Sequence, residues 1–218
     1  MTLDSWPAAF TARVAQQMRE ARRTAGLTMA EVAQGCTDRG LESTEQSIKN
    51  LESGRKASMT IADFVVLADV LGVPPVSLLF PLGTAATVEV LPGREMPTWD
   101  ALAWFAGETP MEQPAAEGTA RDLLDVFRNH GDLVAAAMAS TNLAKDRRRT
   151  ASTTLDRARR VTLLERAAGY EEHAFEDCQE LRVFRARMNE RGLVPPALPG
   201  QLAFVDQPGP ESDQEHSE

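Results

Sequence analysis

Residues 28–54, TMAEVAQGCTDRGLESTEQSIKNLESG, contain two short helical patterns separated by a polar turn. In the second pattern, Ile48 and Leu51 are three positions apart and therefore share one face of a helix. The pattern predicts a helix over residues 45–53 that is anchored by two apolar side chains. The side chains on its other faces are nearly all hydrogen-bonding types, namely Glu45, Gln46, Lys49, Asn50 and Ser53.

The outward side chains of this helix suit the major groove of DNA. The amides of Gln46 and Asn50 can each form two hydrogen bonds with adenine, and the ammonium group of Lys49 can reach guanine or a phosphate. Glu45 can accept a hydrogen bond from cytosine, or it can serve only to place negative charge in the first helical turn. The pattern therefore predicts a helix that reads DNA sequence. The alternative is that Gln46 and Asn50 are surface residues on a helix that contacts a protein.

Five short helical patterns fill residues 1–82. Apolar residues recur within them at intervals of three or four positions, which predicts one buried face for each helix. The predicted inward residues are Phe10, Val14, Met18 and Ala21 in the first helix, Val32, Ala33 and Cys36 in the second, Ile48 and Leu51 in the third, Phe64, Val65, Ala68 and Leu71 in the fourth, and Val76, Leu79 and Phe80 in the fifth.

The ends of the second and third helices carry recognisable signals. Thr28 and Glu31 have the spacing of a capping box, in which each side chain bonds the other's backbone N–H. Ser43 or Thr44 can cap the third helix, because a hydroxyl there accepts from an unpaired N–H of the first turn. Gly54 can end that helix in a left-handed conformation.

Three segments together resemble the Xre/Cro-repressor-type helix-turn-helix family, which includes the lambdoid phage repressors. They are AGLTMAEVA at 25–33, EQSIKNLESGRK at 45–56 and LADVLGVPPVSLLF at 67–80. The resemblance covers about residues 8–82. It implies a five-helix, lambda-repressor-like DNA-binding domain.

The resemblance also implies roles for individual residues. It implies base contacts from the third helix, phosphate contacts at the start of the second helix and just after the third, and a buried ion pair between Arg22 and Glu52. Arg55 and Lys56 could instead complement the helix C-terminus electrostatically. The residues predicted to contact DNA are Thr28, Met29, Arg39, Thr44, Glu45, Gln46, Lys49, Asn50, Arg55 and Lys56.

Two departures from the family's pattern stand out. Met29 occupies the position where the family usually has a Gln that clamps the DNA backbone, and a thioether cannot donate a hydrogen bond. The turn at 37–44 is longer than usual and resembles a variant of actinobacterial and actinophage regulators. Arg39 at its tip either reaches a flanking phosphate or lies in a solvated loop.

The remainder of the chain predicts further helices and few strands. Residues 83–118 have the composition of a linker, with one short strand at 87–91 and one short helix near Trp99. Residues 119–191 predict two longer helices that form an antiparallel hairpin. The two helices could simply cover one another, or they could form a dimerisation arm, which is the favoured hypothesis. Residues 192–218, Pro-rich and then acidic, predict a disordered tail. The expected fold class is all-α, with at most one short strand.

Apolar stripes support both predicted helices of 119–191. The stripe of the second helix is close to heptad spacing. The residues are Leu123, Phe127, Val134 and Met138 in the first helix, and Ala167, Ala174, Cys178, Leu181 and Met188 in the second.

Charge is distributed unevenly along the chain, whose net charge is −9. Residues 1–82 contain 8 Lys and Arg against 9 Asp and Glu, while residues 83–218 contain 15 against 23. Residues 145–160, KDRRRTASTTLDRARR, reverse this balance with seven basic residues against two acidic ones. This block could contact the DNA backbone, neutralise acidic parts of its own helix or of a partner, or simply be solvated.

Several classes of protein are disfavoured. The histidines His130, His173 and His216 lack a carboxylate or cysteine at a recognisable spacing, and no phosphate loop or nucleophile motif occurs. We therefore expect no enzyme activity, cofactor or metal. Cys36 and Cys178 fall on apolar faces and are expected to be reduced core thiols. The start of the chain does not resemble a signal peptide, and no apolar stretch has the length of a membrane helix.

The sequence thus favours a cytoplasmic, nucleoid-associated regulator of transcription, a repressor of the phage-immunity or host type. Its expected partners are double-stranded DNA and a second copy of the chain. The competing hypothesis is a protein-interaction module, or an antitoxin-like regulator that acts mainly through a partner protein bound at 119–191.

Overall fold

The computed structural model describes residues 6–54, 59–109 and 115–207, and these are mostly helical, as predicted. The chain divides into two compact units, Met1–Pro110 and Met111–Glu218. The first unit contains α1 (Trp6–Thr24), α2 (Met29–Asp38), α3 (Glu45–Glu52), α4 (Ile61–Leu71), α5 (Pro75–Leu79), β1 (Thr87–Leu91), β2 (Arg94–Pro97) and α6 (Thr98–Ala106). The second contains α7 (Ala120–Thr153), α8 (Arg157–Glu190) and a 3₁₀ segment (Gly200–Asp206).

The inward faces of α1 to α5 form one hydrophobic core, with one exception to the predicted residues. Val65 is 49% exposed, whereas Leu67 is 4% exposed. Each helical residue turns the chain by about 100°, so Val65 lies well off the face centred on Phe64, Ala68 and Leu71. The prediction of an inward Val65 was therefore wrong, and Leu67 takes its place in the core.

Helices α2 and α4 approach closely at Gly35. A Cβ atom at this position would lie 2.9 Å from Cγ1 of Val70, which is too close for carbon atoms in contact. The absence of a side chain at Gly35 therefore allows α4 to pack directly against α2. This contact fixes the scaffold that carries the turn and α3.

Residues 83–118 are not merely a linker, and they contain two strands rather than at most one. Strands β1 and β2 pair antiparallel, from Thr87 opposite Pro97 to Leu91 opposite Arg94, with an irregularity between Glu89 and Leu91. Val88 and Val90 of β1, with Ala101 and Leu102 of α6, join the core of the first unit. Burial of the hairpin against that core supplies the stability that an isolated two-stranded ribbon lacks.

The second unit is built on an antiparallel hairpin of α7 and α8, as predicted. Each helix has 34 residues, which corresponds to about 51 Å of length. Ala137, Ala144 and Ala151 repeat every seven residues on the buried face of α7, and Ala167 and Ala174 do so on α8. Small side chains at these positions allow two helices to lie close together.

The predicted stripes of the two helices differ in outcome. The stripe of α8 is confirmed, since all five of its residues are buried. The stripe of α7 is confirmed in part: Val134 and Met138 pack against the core of this unit, whereas Phe127 is 38% exposed. The stripe omitted His130 and the alanines at 137, 144 and 151, which are buried. Alanine and histidine carry little hydrophobic signal, and this explains why these buried residues were not predicted.

The C-terminal segment packs onto the base of this hairpin, the end that contains the start of α7 and the end of α8. Leu202 and Val205 of the 3₁₀ segment are buried in a cluster with Leu181 of α8. Residues 192–207 therefore do not belong to a disordered tail, as had been predicted. The rest of that predicted tail, 208–218, lies outside the described residues.

A buried polar cluster also holds the base together. The guanidinium of Arg185, 7% exposed, donates from Nε and Nη2 to Asp206 at 2.7 and 2.8 Å. Its Nη1 lies 2.7 Å from Nε2 of His130 and donates to the Pro196 carbonyl at 2.8 Å. Burial lowers the pKa of His130, and the positive charge of Arg185 lowers it further. The negative charge of Asp206 raises this pKa, but by less than the other two effects lower it. His130 is therefore held in its neutral form.

Candidate nucleic-acid interface

Helix α3 is defined at both ends by local hydrogen bonds. Thr44 is the N-cap: its side chain accepts from Ser47 N at 3.1 Å, and Ser47 Oγ accepts from Thr44 N at 3.0 Å. Gly54, at φ 70°, lies just beyond the C-terminus in the left-handed conformation expected for it. Of the two predicted caps, Ser43 and Thr44, the structure uses Thr44, and the predicted end at Gly54 is confirmed. Helix α3 spans Glu45–Glu52.

The apolar anchors of α3 are buried, and its polar side chains point outward. Ile48 and Leu51 are 4% and 5% exposed. Glu45, Gln46 and Lys49 are exposed, and Asn50 is partly buried beside them. The helix therefore presents a carboxylate, two amides and an ammonium group on neighbouring turns.

The two amides of this face are already linked to each other. Gln46 Nε2 donates to Asn50 Oδ1 at 2.8 Å across one helical turn. This bond restricts both side chains and leaves an amide acceptor on Gln46 and donors on Asn50 that can point outward. Adenine presents one acceptor and one donor in the major groove, so such a pair has the hydrogen-bonding groups to match it.

A buried ion pair fixes α3 against α1. Arg22 donates to Glu52 from Nε at 2.6 Å and from Nη2 at 2.8 Å, and its Nη1 donates to the Leu27 carbonyl at 2.9 Å. The two charged side chains are only 11% and 6% exposed. The hydrogen bond with Glu52 raises the pKa of Arg22 further, so the guanidinium stays charged. The predicted pair is confirmed.

The N-terminus of α2 uses its side chains internally. Thr28 Oγ1 accepts from Glu31 N at 3.1 Å and donates to the Glu31 carboxylate at 2.8 Å, while Thr28 N donates to the same carboxylate at 2.7 Å. The hydrogen bond from the Thr28 backbone lowers the pKa of Glu31 most, and the hydrogen bond from the Thr28 hydroxyl lowers it further. Met29 packs partly against the core. At this end of α2, the side chains of Thr28 and Met29 are therefore engaged with the domain itself.

Arg39 neither protrudes freely nor lies in an unstructured loop. As the C-cap of α2, it forms an ion pair with Asp69 of α4 and donates from Nη1 to the Gly35 carbonyl at 3.0 Å. Its side chain remains 42% exposed. No local pattern predicts this contact, because Asp69 is 30 residues away along the chain.

The other predicted residues have simple outcomes. Arg55 and Lys56, expected to contact phosphates, lie outside the described residues. Cys36 and Cys178 are both free and buried, as predicted, and burial raises the pKa of the Cys36 thiol.

Within 6–54, 59–109 and 115–207, no group of three or more His, Cys, Asp or Glu side chains is placed to hold a metal ion. Over the same residues, no helix combines the length and apolar character needed to cross a membrane.

Comparison of the chain with models of protein families, with curated proteins and with solved structures found no match.

Proposed function

We propose that this chain is a sequence-specific DNA-binding regulator of transcription whose α3 enters the major groove. The observation that carries the proposal is the outward face of α3. It holds the linked amides of Gln46 and Asn50 beside the exposed Lys49, on a helix anchored by Ile48 and Leu51. Side chains of these types pair with base edges, and each good bidentate contact contributes roughly 1–3 kcal/mol of discrimination.

The scaffold behind α3 supports the same proposal. A helix that reads bases must be held in a fixed orientation, and the ion pair of Arg22 with Glu52 supplies this by joining the C-terminal end of α3 to α1. The five-helix arrangement of α1 to α5, with α3 after a polar turn, is the reason for proposing a lambda-repressor-like domain. A repressor is the simplest regulator of this kind, since occupancy of an operator is sufficient for its effect.

Contacts to phosphates are proposed from backbone groups at the start of α2. The N–H groups of the first helical turn point away from the helix and favour an anion. Met29 and Ala30 occupy this turn. A phosphate bound by their backbone N–H groups would not need a hydrogen-bond donor on the Met29 side chain. The ion pair with Asp69 makes Arg39 a structural residue in this proposal.

The test is selection of duplexes from a random pool by the full-length protein, with Asn50→Ala and Gln46→Ala in parallel. We expect one enriched motif for the wild type and lost preference for it in both variants. Gln16→Ala is the matched control, because Gln16 also donates to a side chain one turn along its helix, Glu20 Oε1 at 3.0 Å.

An intact motif in both α3 variants would contradict the proposed readout. No enrichment by a folded protein would contradict the function itself. Enrichment of an inverted repeat would support the homodimer expected from the sequence, because dimeric regulators read paired half-sites.

A second candidate function is a protein-interaction module that acts through the second unit. Phe175 and Val183 of α8 are 63% and 49% exposed, and Phe175 borders a groove of about 550 Å³. Exposed apolar side chains of this size favour a partner, which could be a second copy of the chain. Two results together would favour this candidate over the first. The protein would form a stable complex with a partner protein, and it would bind no DNA duplex or bind one without any dependence on salt.

A further inference from the structure

The apex of the α7–α8 hairpin concentrates positive charge. The apex segment, residues 145–160, contains seven basic residues and two acidic ones, whereas the rest of the described second unit, 115–144 and 161–207, contains seven basic and twelve acidic residues. The basic side chains, all on exposed residues, are Lys145, Arg147, Arg148, Arg149, Arg157, Arg159 and Arg160.

Only some of these basic side chains contact a partner within the protein. Arg149 pairs with Asp146 at 2.8 Å, and Arg148 lies 3.6 Å from Glu171 in a pair that is about half exposed on both sides. Arg147 lies over the ring of Tyr170. These three arginines belong to α7.

The arginines of α8 have no such structural explanation. Arg157, Arg159 and Arg160 lie in its first turn, which contains no acidic residue. Among the described residues, no carboxylate forms an ion pair with any of the three. Positive charge at a helix N-terminus opposes the dipole, so these side chains destabilise the helix that carries them. One carboxylate lies at this end of the helix: Asp156 is the N-cap and accepts from Arg159 N at 2.9 Å, so three positive charges stand against one negative charge there.

We propose that the apex segment binds the phosphate backbone of duplex DNA, as a second contact that does not depend on sequence. The choice of DNA as the polyanion rests on the function proposed above. Six of the seven basic residues are arginines, whose planar guanidinium groups suit bidentate contacts with phosphates. A negatively charged ligand at the apex also offsets the unfavourable charge in the first turn of α8.

A membrane surface fits the apex less well. Leu155 is 99% exposed, but it is the one large apolar side chain in the apex segment. Stable binding to an anionic bilayer needs a broader apolar face or a second anchor beside the basic cluster. Contact with DNA requires no such face.

The test compares two double variants of the full-length protein. Arg157→Gln with Arg160→Gln removes two charges from the apex, and Arg166→Gln with Arg187→Gln removes two exposed charges elsewhere on α8. Affinity for a duplex of arbitrary sequence is measured at a series of salt concentrations. We expect the slope of log K against log salt to fall in magnitude by about 2 in the apex variant, since each lost phosphate contact removes about 0.9. The control variant should retain the wild-type slope.

Two further readouts separate this inference from a structural role. The thermal midpoint of the apex variant should equal or exceed that of the wild type, because unfavourable charge has left the helix N-terminus. Its preference for a selected motif over an arbitrary duplex should be unchanged. Should the apex variant fail to fold, Lys145→Gln with Arg147→Gln gives the same test from α7.

An unchanged salt slope in the folded apex variant would overturn the inference, as would an equal loss in the control. Binding to vesicles of anionic phospholipid that the apex variant loses, with duplex binding unaffected, would overturn it in favour of a membrane. The two proposals can fail separately. Apex-dependent duplex binding without any selected motif would refute only the sequence-specific function, and a selected motif with an unaltered slope would refute only the apex contact.

Discussion

Replacing Glu52 with Gln should destabilise the first unit strongly, although the two side chains have nearly the same size. The substitution removes the negative charge that faces the Arg22 guanidinium at 2.6 and 2.8 Å. The guanidinium remains charged and almost fully buried, because its side chain is only 11% exposed. The protein would then have to keep an unpaired cation out of water.

The size of the effect follows from that burial. Breaking a buried ion pair by removing one partner costs about 3–5 kcal/mol. A unit of this size has a free energy of unfolding of roughly 5–15 kcal/mol, so the loss is a large fraction of the total. Arg22→Met combined with Glu52→Leu should lose less than either single change, because it leaves no buried charge. It does leave the Leu27 carbonyl without the Arg22 hydrogen bond, at about 1 kcal/mol.

Tryptophan fluorescence allows this unit to be measured in the full-length protein. Trp6, Trp99 and Trp104 are the three tryptophans of the chain, and all lie in the first unit. Urea unfolding followed by this signal should show a lower midpoint for Glu52→Gln with an unchanged dependence on denaturant. A loss below about 1 kcal/mol for Glu52→Gln would refute the reasoning, since the pair would then behave as an exposed one. A double variant as unstable as the singles would refute it too.

Two further predictions concern the second unit. The pKa of His130 is lowered in the folded protein, so the unfolded chain binds its proton first as the pH falls. The stability contributed by neutral His130 should be fully present above its ordinary pKa of about 6.5 and be lost progressively below it. Unfolding followed by circular dichroism at several pH values measures this, and an equal loss in His130→Gln would contradict it. Gly131→Ala should stabilise the exposed interior of α7 by roughly 0.5–1 kcal/mol, since its Cβ would meet nothing within 4 Å. A urea midpoint at or below the wild-type value would contradict this prediction.

Local hydrogen-bonding chemistry made α3 and its ends predictable from sequence. Thr44 caps the helix through atoms three residues away, and Gly54 ends it through its own backbone freedom. Strand β2 was not predictable in this way. Its sequence, REMP, has no clear alternation and ends in proline. It becomes a strand because it pairs with β1, and of its residues only Met96 packs against the core of the first unit.

The same distinction applies to the candidate interface. The residue types of α3 indicate which groups face outward, because helical geometry alone decides that. The roles of Arg39 and Met29 depend instead on tertiary contacts: Asp69 of α4 pairs with Arg39, and the core accommodates Met29. In the proposed function, the phosphate contacts at the start of α2 are therefore assigned to its backbone N–H groups rather than to the side chains of Thr28 and Met29. Specificity in this proposal follows from local sequence, whereas anchoring follows from how the helices pack.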